Sequence, residues 1–266
     1  MVNKPEEFRN LSIVIPAYCE EENLAPTTEE AIYAASATLN DFEIIIVNDG
    51  STDNTSKIAD CLAAVHDCVS VIHFETNQGV GAAYQAALRR ARFEYISLVP
   101  GDRAFEVTGL LAVFGAVGKA DMIISYRINP TARSPLRRLL SRLCTLQLGL
   151  TTRCKLQDGH SLYVWPVGLA LEIVAPVDYS YHLVTLVTLM QKVSSYAEIP
   201  VILNPKPDES SRVLSWKVVS TLAWRLSVLT MKSILRIRSS RPKKIFIVDS
   251  IKNSRPPIKT TVSKAE

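Results

Sequence analysis

The sequence predicts an α/β fold: a mainly parallel sheet sandwiched by helices, with an amphipathic helix toward the C-terminus. Three observations carry that expectation. Short apolar runs without polar alternation recur along the first half of the chain, as in strands covered on both faces. Stretches of helical character separate them, which is the alternation of a parallel sheet. The composition, 47% apolar and 21% charged over 266 residues, supplies a sizeable core for one large domain or two small ones.

Leu11 to Tyr18 (LSIVIPAY) is the first apolar run. Thr27-Thr28-Glu29-Glu30 then offers a capping box, with Thr27 at the cap and Glu30 three residues on. Phe42 to Asn48 is the second strand, and Asp49-Gly50-Ser51 turns the chain into another helix. Val69 to Phe74 is the third, after which Asn77-Gln78-Gly79-Val80-Gly81 opens a helix running to Arg92. Tyr95 to Val99 and Asp121 to Tyr126 complete a set of five. Farther on the alternation weakens. Arg133 to Leu150 reads as a helix that is basic on one side, Ser161 to Trp165 as a strand, His182 to Lys192 as a helix and Tyr196 to Leu203 as a strand. Pro205-Lys206-Pro207-Asp208 is a turn or linker. Val213 to Arg238 reads as one long amphipathic helix, with Val218, Val219, Leu222, Leu226 and Leu229 on one face and Lys217, Thr221, Arg225 and Lys232 on the other. Past Ser239 little apolar content anchors the chain, Ile245 to Val248 excepted. The expected organisation is a catalytic-size domain over 1–205, a linker and amphipathic helix over 206–238, and a basic, disordered tail over 239–266.

Several classes are excluded at this stage. No apolar run approaches the roughly 18 residues of a membrane span. The N-terminus, MVNKPEEFRN, lacks the apolar stretch of a signal peptide, so the cytosol is the expected compartment. Five cysteines with no CxxC pair argue against a disulfide framework or a zinc site. The net charge of +4 is modest but gathered toward the C-terminal end, which suits an anionic surface or a solvated tail, and no nucleic-acid partner is expected.

In parallel sheets ligands sit beyond the carboxyl ends of the strands. The polar residues there are Tyr18-Cys19-Glu20, Asn48-Asp49-Gly50, Asn77-Gln78-Gly79 and Gly101-Asp102-Arg103, and all four groups should face one rim. Asp49 could accept a hydrogen bond from a ring N–H or a ribose hydroxyl, or serve as a helix cap. Asp102, after Pro100-Gly101, is placed to hold Mg²⁺ or Mn²⁺, ions that often take one or two carboxylates and complete their shell with substrate phosphates. An ordinary turn aspartate is the alternative.

The succession LSIVIPAYCEEENL, IIIVNDGSTDNT, NQGVGAAYQAAL and ISLVPGD resembles glycosyltransferase family 2, inverting enzymes of the GT-A fold, and within it the polyprenyl- and dolichyl-phosphate sugar synthases. The resemblance covers residues 10 to 205. It implies that Pro16, Ala17 and Glu20 line a nucleotide pocket, that Asp49 reads the nucleobase, and that Gln78 and Gly79 pass the nucleoside. By the same resemblance Asp102 matches the second acid of an Asp-x-Asp metal motif. Arg127 matches a basic residue near the phosphates or acceptor, Asp158 an acid on the acceptor side, and Arg212 a basic residue that closes over the diphosphate. There are departures. Cys19 replaces an Asn, Asn48 the first Asp of Asp-Asp-Gly-Ser, and Pro100 the first metal-motif Asp. Leu162 and Val164 stand where Gly and Arg are frequent, and Val184 near a frequent Glu.

The implied function is transfer of a sugar from a nucleotide-sugar donor, with a divalent cation, to a polyprenyl phosphate at the cytosolic face of a membrane. Transfer to a saccharide or small-molecule hydroxyl, or a silent nucleotide-binding scaffold, are the alternatives. A phosphate acceptor is already an anionic nucleophile, whereas an alcohol needs a general base; Asp158 and Asp178 are candidates, and His182 reads rather as a helix-start residue. Arg133, Arg137, Arg138 and Arg142 could bind a phosphorylated acceptor or lipid headgroups, or form a solvated face. A membrane subunit or a second copy of the chain is a further conceivable partner.

Overall fold

The computed structural model describes residues 9–128, 135–158, 161–178, 180–204 and 242–247, together with Trp224, Ser227, Val228 and Thr230. Its centre is β1 (Asn10–Ala17), whose apolar run is buried on both faces: Leu11, Ile13 and Ile15 pack into one core and Val14 into the other. β2 (Asp41–Asp49) pairs parallel to β1, and β3 (Val69–Phe74) parallel to β2. β4 (Tyr95–Leu98) returns to pair parallel on the other side of β1. The chain therefore reverses its direction of spread between β1 and β4, and that reversal opens a crevice at their carboxyl ends.

The remaining strands give the order β3-β2-β1-β4-β6-β5-β7-β8. β6 (Tyr163–Pro166) runs antiparallel to both β4 and β5 (Met122–Arg127), so two parallel blocks are joined through one reversed strand. β7 (Ser195–Val201) is parallel to β5, and β8 (Lys243–Ile245) extends the edge parallel to β7. Ile245 and Ile247 pack against the core, so this apolar piece of the C-terminal region docks on the sheet.

Helices cover both faces. α1 (Leu24–Thr38), α2 (Thr55–Val65) and α4 (Val107–Phe114) share one core with the sheet. α3 (Val80–Leu88), α5 (Pro135–Thr152), α6 (Val167–Leu171) and α7 (Tyr181–Met190) contribute to the other.

The expected capping box at Thr27 is wrong. α1 begins at Leu24, after Asn23, with Pro26 in the first turn, where a missing N–H costs nothing. Thr27 and Thr28 lie inside the helix and are buried; the Thr27 hydroxyl donates to the Gly101 carbonyl at 3.1 Å and the Thr28 hydroxyl to the Leu24 carbonyl. α4 and α6 had no place in the sequence reading, because they are short and lack side-chain caps. The long helix expected over Val213–Arg238 lies outside the described residues, apart from Trp224, Ser227, Val228 and Thr230, which are helical.

Candidate functional site

A cavity of about 580 Å³ opens at the carboxyl ends of β1 and β4. Its wall includes Pro16, Ala17, Tyr18 and Glu20 after β1, Asp49 after β2, Asn77 and Gly79 after β3, and Pro100, Gly101 and Asp102 after β4. The strand-end groups expected to face one rim therefore meet. Five members of those groups do not line the cavity: Cys19, Asn48, Gly50, Gln78, whose side chain is exposed, and Arg103, which is drawn to Glu30 by two hydrogen bonds of 3.0 and 2.5 Å.

Side chains of the DGSTDNT stretch hold this wall. At Cys19 the backbone enters the left-handed region (φ 57) and ends β1. The Cys19 N–H then donates to the Ser51 hydroxyl at 3.0 Å and the Glu20 N–H to the Thr55 hydroxyl at 2.8 Å. The Glu21 N–H donates to Asp53, while the Glu21 carboxylate accepts from the Asn54 backbone and side chain. Burial pushes the Asp53 carboxyl up, but the Thr55 hydroxyl and N–H and the Glu21 N–H donate to it and together hold it below its ordinary value.

Asp49 has a double task. Its buried carboxylate accepts the Gln78 N–H at 2.7 Å on one oxygen and the Gly79 N–H at 2.9 Å on the other. This fork fixes the loop that opens α3, at a glycine whose φ of 90° disfavours any side chain. Each oxygen keeps a further lone pair for a ligand in the cavity. The neighbouring Asn48 is buried and works as an amide. Its Nδ2 lies 3.1 Å from His73 Nδ1, and its Oδ1 accepts the Ser51 N–H. An aspartate there could not donate to the ring.

The Pro-Gly-Asp turn is equally determined. The Val99 N–H donates to the Val14 carbonyl and the Gly101 N–H to the Pro16 carbonyl at 3.2 Å, while Pro100 between them has no N–H to give. Gly101 passes so close to β1 that a Cβ would lie 2.8 Å from the Pro16 carbonyl oxygen. Asp102 follows, half-buried on the cavity wall.

The opposite wall is aromatic. Tyr163 and Trp165 from β6, and Tyr181 and His182 from the start of α7, line it together with Leu98, Phe105, Ser161 and Leu162. Tyr163 stacks on Trp165 at 5.2 Å, and Tyr84 stacks on Tyr181 at 5.0 Å while accepting the Trp165 indole N–H at 2.6 Å. Burial, reinforced by the Asp158 carboxylate, holds the Tyr163 phenol well above its ordinary pKa. His182 begins α7, as its sequence suggested, and also faces the cavity. This wall was missed in the sequence; the signal was the alternation Tyr163, Trp165 in SLYVW.

Arg127 and Asp158 are brought to each other. They form a buried two-pronged ion pair, 2.5 and 2.6 Å, each side chain 8% exposed, and neither lines the cavity. Asp178 accepts the Ser180 N–H and hydroxyl at the start of α7. Arg212 lies outside the described residues, as do Arg133 and the side chains of Arg137 and Arg138. Among the described residues no three acidic, histidine or cysteine side chains cluster as a metal cage.

Comparison with known proteins accounts for this arrangement. The family model described as Glycosyl transferase family 2 matches residues 12–160. A dolichyl-phosphate beta-glucosyltransferase of Trichomonas vaginalis is 32% identical over 174 residues, 60% of this chain and 52% of that protein. A dodecaprenyl-phosphate galacturonate synthase of Rhizobium johnstonii is 26% identical over 175 residues, 64% of this chain and 52% of that protein. The chain thus spans about half the length of these curated relatives. The fold is shared with glucosyl-3-phosphoglycerate synthase from Mycobacterium tuberculosis. In complex with UDP, that structure matches with a TM-score of 0.61 at 15% identity, covering 85% of this chain and 80% of the other. In complex with Mn²⁺, UDP-glucose and phosphoglyceric acid, it matches with a TM-score of 0.61 at 16% identity, covering 82% and 80%. The sheet is accordingly that of the GT-A glycosyltransferases. Since the family match takes in β1 through β5 and every loop of the cavity's polar wall, the chain belongs to Glycosyl transferase family 2.

Proposed function

We propose that this chain is an inverting glycosyltransferase that moves a sugar from a nucleotide-sugar donor to a polyprenyl phosphate at a membrane surface. The observation that carries the reading is the convergence of Asp49, Asn77, Gly79 and Asp102 on one cavity at the β1–β4 reversal. Asp49 and the loop it holds form the polar end, suited to a nucleoside. Asp102 lies farther along the same wall, suited to the diphosphate region. The aromatic wall offers the apolar surface against which the C–H face of a sugar ring packs.

A divalent cation is implied by the family, and the residues present fit one. Asp102 would hold it from the cavity wall, with the donor diphosphate completing an oxygen-rich shell. Such an ion would supply neutralisation of the charge that grows on the leaving diphosphate. The protein's own part is positional. Asp49 orients the nucleoside, the aromatic wall shields C1 of the sugar from water, and a phosphate acceptor attacks without a general base. Arg127, tied to Asp158 in a buried ion pair off the cavity wall, would act by holding its part of the fold together rather than by touching substrate. Arg212 remains the expected cation for the diphosphate from outside the described residues.

The lipid acceptor is supported by the two prenyl-phosphate relatives. His182 favours a second reading, transfer to a hydroxyl, because a neutral imidazole on the cavity wall can take the acceptor's proton. Calorimetry of a nucleotide-sugar panel with Mn²⁺ identifies the donor, and transfer from it to polyprenyl phosphate or to free saccharides separates the acceptors. With Asp102→Asn, transfer should fall at least about a hundredfold. Equal rates for wild type and variant would end the enzymatic reading.

A further inference from the structure

The stretch NQGVGAAYQAAL puts Gly81, Tyr84 and Gln85 at i, i+3 and i+4, and therefore on one face of α3. That face seats the segment leading from α6 to α7. A Cβ at Gly81 would lie 2.3 Å from the Val177 carbonyl oxygen and 2.9 Å from that of Asp178, so the segment's backbone rests directly on the helix. One turn on, the Gln85 side-chain amide donates to the Ala175 carbonyl at 2.7 Å, and Tyr84 stacks on Tyr181 at 5.0 Å. The segment has little core of its own: Val174 is 97% exposed and Val177 55%, while Ile173 and Ala175 reach the core in part. It delivers Tyr181 and His182, at the start of α7, to the aromatic wall of the cavity. The loop that opens the same helix is the one gripped by Asp49 through the Gln78 and Gly79 N–H groups. α3 is thus one rigid piece with the polar loop at its front and the aromatic wall on its flank.

We propose that Gln85, which does not line the cavity, is a positioning residue of the transfer: its amide fixes the 173–178 segment on α3 and so sets Tyr181 and His182 against the donor sugar, without serving nucleotide binding. The role rests on the glycosyltransferase reading above and adds a residue to it. Stacked rings tolerate sliding over one another, so the Tyr84–Tyr181 contact alone leaves the segment's place along the helix loose. A short hydrogen bond is directional, and the Gln85 amide decides where the segment stops. The precision matters because the sugar meets both walls at once. A misplacement of about 1 Å at the reacting atoms can cost about a hundredfold in rate. A small shift of the aromatic wall therefore reads out in turnover, while Asp49, Asn77 and Gly79 still meet the nucleoside unchanged.

The test sets two variants of the full chain beside the wild type. Gln85→Met keeps the length of the side chain but gives no N–H, and Gln85→Glu turns a carboxylate oxygen toward the Ala175 carbonyl. In Gln85→Met, affinity for UDP with Mn²⁺ should stay within about twofold, while kcat, for transfer from the nucleotide sugar selected by the calorimetric panel to polyprenyl phosphate, falls about tenfold, the rate equivalent of one hydrogen bond. Gln85→Glu should lose more. Hydrogen exchange without ligand should quicken about fivefold at the Leu183 and Val184 amides, which donate to the Ser180 carbonyl, and stay unchanged at Gln78 and Gly79. A Gln85→Met enzyme with the wild-type kcat overturns the proposal, even if its exchange quickens, because the bond is then architectural only. Loss of nucleotide affinity in step with kcat overturns it too, since the residue then serves the donor loop. A wild type that binds no nucleotide of the panel removes the donor reading and this role with it, an outcome told apart from the others by exchange that still quickens in Gln85→Met.

Discussion

Asp49→Asn tests the polar wall most directly. The carboxylate receives two backbone donors, 2.7 and 2.9 Å, one on each oxygen. An asparagine of the same shape can accept only one of them, and its amide NH₂ then confronts the other N–H. A hydrogen bond to a charged group contributes about 1.5–3 kcal/mol, and an abandoned donor costs about 1–3 kcal/mol. Some of this is offset because a neutral amide is cheaper to bury than a carboxylate. A net loss of about 2–4 kcal/mol in the closing of the 77–79 loop follows. Hydrogen exchange reads it locally: the Gln78 and Gly79 amides should exchange roughly 30- to 700-fold faster, a tenfold change per about 1.4 kcal/mol. Nucleotide affinity should fall in parallel, since the loop must be re-ordered on binding. Unchanged protection at both amides would refute the fork, whatever happened to affinity.

Replacing one member of the Arg127–Asp158 pair, as Arg127→Met or Asp158→Leu, should cost about 3–5 kcal/mol in urea unfolding, because a buried charge is orphaned. The double replacement should recover most of that loss, and a double variant as unstable as the sum of the singles would show that the pair is not the unit. For the thiols, burial and then the Asp158 carboxylate raise Cys144 to about 11. Its thiolate is thus about one part in a thousand at pH 8 and grows only as pH approaches the raised value. Alkylation of the native protein at pH 8, followed by mass spectrometry, should mark the exposed Cys19 and Cys61 and spare Cys144; equal labelling would contradict its burial.

The polar wall was legible in the sequence because its chemistry is local. β2 and β4 run into Asp49-Gly50 and Pro100-Gly101, whose backbone preferences favour a turn, and the parallel topology puts these ends on the same side as those of β1 and β3. The aromatic wall was not legible. It joins β6 to α7 across a strand that runs against its neighbours, and nothing in SLYVW announces that reversal. The Thr27-Thr28 error has the same root. Those threonines satisfy a local capping pattern, yet the Gly101 carbonyl, remote in sequence, gives the Thr27 hydroxyl its partner inside the helix. Leu139, Leu143, Leu146 and Leu150 of α5, each more than half exposed, show a third limit: periodicity reveals an apolar stripe but not whether the protein itself covers it.

The two walls are rigid for different reasons, and that difference bears on the lone carboxylate between them. The polar wall is stitched by Ser51, Thr55 and Asp49 to backbone N–H groups, bonds that need no ligand. The aromatic wall is fixed by stacking and by the Trp165–Tyr84 hydrogen bond. Asp102 sits on a turn clamped to β1 through Gly101 and to α1 through Thr27, with a proline in place of a second acid. A proline at that position removes two ligand oxygens and also removes a charge that would repel a diphosphate. A lone acid on so fixed a turn offers a cation too few oxygens to hold it tightly by itself. The ion's residence then depends on oxygens that arrive with the donor, so cation and nucleotide should strengthen each other's binding by the same factor.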